Sequence, residues 1–125
     1  MATVLVVDDE FGITELLEAI LTDDGHHVQI ALNGRHGLEM LERLQPDLIF
    51  LDYMMPVMDG AALLREIAAD PALHEIPVVV MSGMPEATVA ERCKGYSSFL
   101  RKPFRVAQVV AVAERLLGKG NAPDS

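Results

Sequence analysis

The sequence predicts an α/β fold: a five-stranded parallel sheet with helices on both faces. Two observations lead there. Apolar runs of strand length at residues 4–7, 48–51 and 78–81 lack polar alternation, as strands covered on both sides do. Between them, apolar residues recur at spacings of three and four, and each crossover of ~20 residues is long enough to return the chain parallel to itself.

The first strand, Val4-Leu5-Val6-Val7, stops abruptly on Asp8-Asp9-Glu10. Ile13, Leu16, Leu17, Ile20 and Leu21 then form one helical face, which ends near Asp23-Asp24-Gly25. A weaker strand over 27–31 follows, and Asn33 is placed to cap the next helix, striped by Leu38, Leu41 and Leu44 and followed by Pro46. The third strand, Leu48-Ile49-Phe50-Leu51, delivers Asp52 to its tip ahead of Pro56 and Asp59-Gly60. Asp59 reads as the cap of a helix carrying Leu63, Leu64 and Ile67 and ending before Asp70-Pro71. After Pro77, the run Val78-Val79-Val80-Met81 terminates on Ser82-Gly83. A short helix is expected over 86–94 with Gly95 as its stop, then a brief strand at 98–100 leading to Arg101-Lys102-Pro103. Val106, Val109, Val110, Ala113, Leu116 and Leu117 mark the last helix. One domain over 1–118 and a polar tail over 119–125 are expected, without repeat or linker.

Composition narrows the function. With 10 basic against 19 acidic residues, a formal charge of −9 disfavours nucleic acid and anionic membranes as partners. One cysteine, Cys93, excludes an intramolecular disulfide, and no apolar run approaches the ~20 residues of a membrane span, so a cytoplasmic protein is expected. The four histidines lack ligand spacing: His26 and His27 read as a turn, His36 and His74 as surface. Met54, Met55 and Met58, with no cysteine nearby, read as packing around a strand tip rather than as a soft-metal site.

Because parallel strands share a direction, Asp8, Asp9, Asp52, Ser82 and Lys102 converge at the carboxyl edge of the sheet, where such folds bind ligands. Strand two has no polar tip, which fits an outermost position. Three clustered carboxylates repel one another unless a cation sits among them, and few carboxylates with room for water and phosphate favour Mg²⁺ over a caged Ca²⁺. Asp52, alone at its tip, is the nucleophile candidate, since a carboxylate accepts a phosphoryl group as an acyl phosphate. Lys102 and Ser82 are placed to stabilise that group's oxygens.

The segments VLVVDDE at 4–10, LDYMMPVMDG at 51–60, VVVMSG at 78–83 and FLRKPF at 99–104, in that order, resemble the bacterial response-regulator receiver domain over nearly the whole chain. The resemblance implies a flavodoxin-like strand order 2-1-3-4-5. It makes Asp52 the phosphoacceptor, Asp9 a direct Mg²⁺ ligand, Asp8 a ligand through water, and the Met54 carbonyl the remaining protein ligand. Ser82 becomes the switch hydroxyl, Lys102 the phosphate partner, Phe99 the switch aromatic, and Lys102-Pro103 a cis bond. The implied partner is a sensor histidine kinase or a histidine phosphotransfer protein. Such a module catalyses its own phosphorylation and dephosphorylation without being a conventional turnover enzyme. A homodimer is compatible with the resemblance, but its mode is not carried over, because the interval from Ser82 to Lys102 is short and contains Pro85.

Two other classes compete. An aspartyl-phosphate phosphatase also uses a strand-end carboxylate and Mg²⁺, but such enzymes carry a second Asp two residues on, where this chain has Met54. A flavodoxin-like nucleotide binder is disfavoured because no Gly-rich loop follows strand one.

Overall fold

A computed structural model of the chain describes residues 2–118, so the tail expected over 119–125 lies outside the described residues. Five strands, β1 (Thr3–Val7), β2 (His27–Ala31), β3 (Leu48–Asp52), β4 (Val78–Ser82) and β5 (Ser98–Arg101), alternate with five helices. These are α1 (Phe11–Asp23), α2 (Gly34–Arg43), α3 (Gly60–Ala69), α4 (Glu86–Ala90) and α5 (Val106–Leu117). All strand pairs are parallel, in the order β2-β1-β3-β4-β5, as expected.

Period-two alternation divides each central strand between two cores. Leu5, Val7, Ile49, Leu51, Val78 and Val80 face α2, α3 and α4, meeting Leu41, Leu63, Ile67 and Val89. Val4, Val6, Leu48, Phe50, Val79 and Met81 face α1 and α5, meeting Leu17, Leu21, Val109 and Val112. Both faces are therefore dry, which is why these strands read as unbroken apolar runs.

Both expected side-chain caps are present: the Asn33 and Asp59 carbonyl or carboxylate oxygens accept from the backbone N–H groups of His36 and Ala62. In α1 the buried set is Thr14, Leu17, Ile20 and Leu21, while Leu16 turns outward. The fourth helix ends at Ala90 rather than Lys94, and the chain reaches Gly95, at φ +82°, through turns. His26 is buried in the α1–β2 connection, where its Nδ1 accepts from Ala2 N–H, and His27 opens β2 rather than lying in a turn. Met55 and Met58 pack against the core, but the Met54 side chain is 63% exposed and packs little.

Two features of the β3–α3 connection position the strand tip. Gly60 donates its N–H to the Tyr53 carbonyl at 2.9 Å, and a Cβ there would collide with the Asp52 carbonyl. Val57 sits at φ +71°, a left-handed conformation that a β-branched residue adopts only under strain. Its side chain is 76% exposed and contributes little packing. Val57→Gly is therefore expected to stabilise the fold by about 1 kcal/mol, read as a thermal midpoint higher by roughly 4 °C. An unchanged or lower midpoint would contradict strain at this position.

Candidate functional site at the carboxyl edge of the sheet

Four strand ends build the site. β1 ends at Val7, and Asp8 follows with its N–H bonded to the Ala31 carbonyl of β2. β3 places Asp52 opposite Met81 of β4, and the Tyr53 N–H donates to the Met81 carbonyl, so Ser82 lies one residue further along the neighbouring tip. Ser82 in turn pairs with Arg101, and the Lys102 N–H donates to the Ser82 carbonyl at 2.8 Å. The Lys102-Pro103 peptide is cis, as expected.

Lys102 is the hub. Its ammonium donates to Asp8 Oδ2 at 3.0 Å, to Glu10 Oε1 at 2.7 Å and to Asp52 Oδ1 at 3.2 Å. Asp8 is fully buried and Asp52 is 4% exposed, so two carboxylates share a site with little water. Burial, followed by repulsion from Asp8, pushes the Asp52 carboxyl up to about 7 against the pull of Lys102. Asp8 is also raised, mainly by burial, although the Glu10 N–H and Lys102 hold it down. Lys102 is pulled down by burial, but its hydrogen bonds to Glu10 and Asp8 and the Asp52 charge outweigh that and leave it above the ordinary lysine value.

One carboxylate oxygen from each of Asp8, Glu10 and Asp52 lies within 4.8 Å of the other two. This set of hard oxygen donors, with two carboxyls raised by burial, fits a divalent cation such as Mg²⁺. Glu10 is the member that sequence reasoning missed. Asp9 is exposed and stands outside this trio, although its charge contributes to raising Asp52.

Ser82 is buried, and its Oγ accepts the Met84 N–H at 3.0 Å, leaving the hydroxyl proton free to be donated. Phe99, on β5 opposite Val80, is half-buried against the α3-side core. Met54 and Met84 both show exposed apolar side chains in the loops that follow β3 and β4.

Residues 4–114 match the model of the response regulator receiver domain. The chain belongs to this family. It is 41% identical over 107 residues to response regulator PleD of Caulobacter vibrioides, covering 82% of this chain and 23% of that protein. It is 32% identical over 121 residues to the DNA-binding dual master transcriptional regulator RpaA of Synechocystis sp., covering 94% of this chain and 49% of the other. The chain thus spans half or less of the length of these curated relatives. Among solved structures, the signal receiver domain of a signal transduction histidine kinase from Syntrophus aciditrophicus superposes with a TM-score of 0.89 at 30% identity, covering 100% of this chain and 96% of that one. The receiver domain described here is a two-component response-regulator module with an acidic pocket able to hold a metal. Among the described residues, no helix is long and apolar enough to cross a membrane.

Proposed function

We propose that this receiver domain accepts a phosphoryl group on Asp52 from a sensor histidine kinase or a histidine phosphotransfer protein, with Mg²⁺, and switches a signalling surface in response. The observation that carries the reading is a single lysine bridging a buried strand-tip aspartate to two other carboxylates, beside a buried serine on the adjacent tip. An Asp52 carboxylate oxygen attacks phosphorus in line. The bond from phosphorus to the donor's nitrogen breaks, and its electron pair leaves with the donor imidazole. No general base is needed, because the ionised carboxylate is already the nucleophile.

The Lys102 ammonium, already at Asp52, is placed to take one phosphoryl oxygen, and the Ser82 hydroxyl to donate to another. The resemblance would have the Asp9 and Asp52 carboxylates and the Met54 carbonyl hold Mg²⁺ directly and Asp8 through water, whereas in the fold Glu10 rather than Asp9 stands with Asp8 and Asp52. Bound at this cluster, the ion would supply further neutralisation of phosphoryl charge. Drawing Ser82 toward the phosphoryl group leaves room for the Phe99 ring to move inward, which biases the β4–β5 surface between two states. The module turns over its own phosphate but is not a conventional enzyme, and it works in the cytoplasm.

The test is uptake of one phosphoryl group from a small donor such as acetyl phosphate. Uptake should require Mg²⁺, and the label should be released by hydroxylamine, as an acyl phosphate is. A hydroxylamine-stable or Mg²⁺-independent label would contradict the proposal.

The rim sets a second expectation. Water that hydrolyses the acyl phosphate must approach in line, and the Met54 and Met84 thioethers are poor at orienting it, since sulfur accepts hydrogen bonds weakly. Slow self-dephosphorylation follows. Met54→Asn with Met84→Glu is expected to accelerate phosphate loss by about tenfold, a loss of ~1.4 kcal/mol in barrier. A decay rate unchanged in that variant, with phosphorylation intact, would show that the rim does not control the lifetime.

A further inference from the structure

Away from the carboxyl edge, α3 separates two surface grooves of opposite charge. One, of about 430 Å³, lies between α3 and the turns that replace the rest of α4, and Arg65, Arg92 and Lys94 border it over a floor of Leu64 and alanines. The other, of about 400 Å³, lies on the α2 side and is bordered by Glu42, Glu66 and Asp70. Ala69 lines both. The helical period explains the division: Ala62 and Ala69, two turns apart, share the outward ridge, while the adjacent residues Arg65 and Glu66 fall on opposite flanks of it. Among the described residues, none of these six charged groups has an opposite charge within 4.0 Å. Three of the chain's 10 basic residues therefore stand unpaired around one groove in a protein of charge −9.

We propose that this face of α3 is a self-association surface whose partner is a second copy of the same chain. The complement of the basic groove is present on the same helix, so an isologous contact satisfies both grooves at once. Charge also selects the symmetry. A two-fold axis lying along α3 sets the two helices parallel and brings each basic flank against the acidic flank of the other copy. An axis across the helix brings basic against basic and acidic against acidic. The parallel arrangement seats Arg65 opposite Glu66 of the partner subunit, with Arg92 and Lys94 near Glu42 and Asp70 of the partner subunit. The ridge itself carries only the methyl groups of Ala62 and Ala69, which lets the helices approach closely. Because the pairs are exposed, the association is weak and salt-sensitive.

The test is sedimentation of the full chain at low salt, with no phosphodonor, which keeps it independent of the phosphoacceptor reading. A reversible monomer–dimer equilibrium is expected, weakening about tenfold between ~0.05 and ~0.5 M salt. Arg65→Glu and Glu66→Arg should each be monomeric, because each places like charges across the axis twice. Their equimolar mixture should form a heterodimer, since the acidic flank of one variant then meets the basic flank of the other. Both side chains are exposed, and far-UV circular dichroism checks that the variants are folded. A wild type that stays monomeric, single variants that dimerise like wild type, or a mixture that stays monomeric would each overturn the proposal. So would binding of a different acidic protein to the basic groove without self-association.

Discussion

Lys102→Met is expected to lower the thermal midpoint by on the order of 10 °C at pH 8, from a loss of about 3 kcal/mol, and to slow phosphoryl uptake by about a hundredfold. The Lys102 ammonium is the common donor to Asp8, Glu10 and Asp52. Methionine matches its length and apolar stem but leaves the fully buried Asp8 and the nearly buried Asp52 without their cation. Glu10, being largely exposed, finds water instead and contributes little to the loss. The sign of the pH dependence is set by the same contacts. Lys102 lowers the pKa of both aspartates, so its removal raises them further, and the folded variant holds protons that the unfolded chain has released. The deficit is therefore largest above pH 7 and shrinks as acid neutralises both groups. A variant that melts with wild type at pH 8, in the absence of metal, would show that the trio tolerates its own charge.

Asp52→Asn is expected to move stability the other way while abolishing phosphoryl acceptance. Asp52 titrates at about 7 in the fold against an ordinary 3.8. Between those values the folded protein keeps a proton that the unfolded chain has lost, so stability falls as pH rises through that window. That difference corresponds to at most about 4 kcal/mol, with the attraction of Lys102 already counted in it, and relaxation of the site around the ionised group reduces it. A net gain of about 1–2 kcal/mol at pH 8, disappearing near pH 4, is what calorimetry without metal should show. Mg²⁺ should raise the wild-type midpoint more than that of the variant, because Asp52 is one of the carboxylates that would hold it. A variant less stable than wild type at pH 8 would mean that Lys102 more than neutralises the site.

Most of the frame was legible because burial on both faces of a parallel sheet leaves a strong mark: β1, β3 and β4 are apolar without interruption until the residue that carries chemistry. Asp8, Asp52, Ser82 and Lys102 are brought together by shared strand direction alone. What escaped depends on local geometry. Which of Asp8, Asp9 and Glu10 turn toward Lys102 is decided by a turn in which the Glu10 N–H donates to Asp8 Oδ1, and residue spacing does not encode that turn. Gly60 read only as the residue after a cap, although its lack of a side chain lets α3 start against the Asp52 backbone. Val57 gave no signal at all, since a left-handed position is read from glycine or asparagine. The early end of α4 at Ala90 follows from weak amphipathicity: only Val89 of that helix is fully buried.

The central claim is that Asp52 carries the phosphoryl group, and the most direct measurement identifies the modified atom's residue. After reaction with acetyl phosphate and Mg²⁺, borohydride reduces an aspartyl phosphate to homoserine, which marks its position permanently. Peptide mass spectrometry should then find homoserine at position 52 in the wild type and none in Asp52→Asn. Homoserine at Asp8 or Asp9 in the wild type, or equal phosphoryl uptake by Asp52→Asn, would contradict the account.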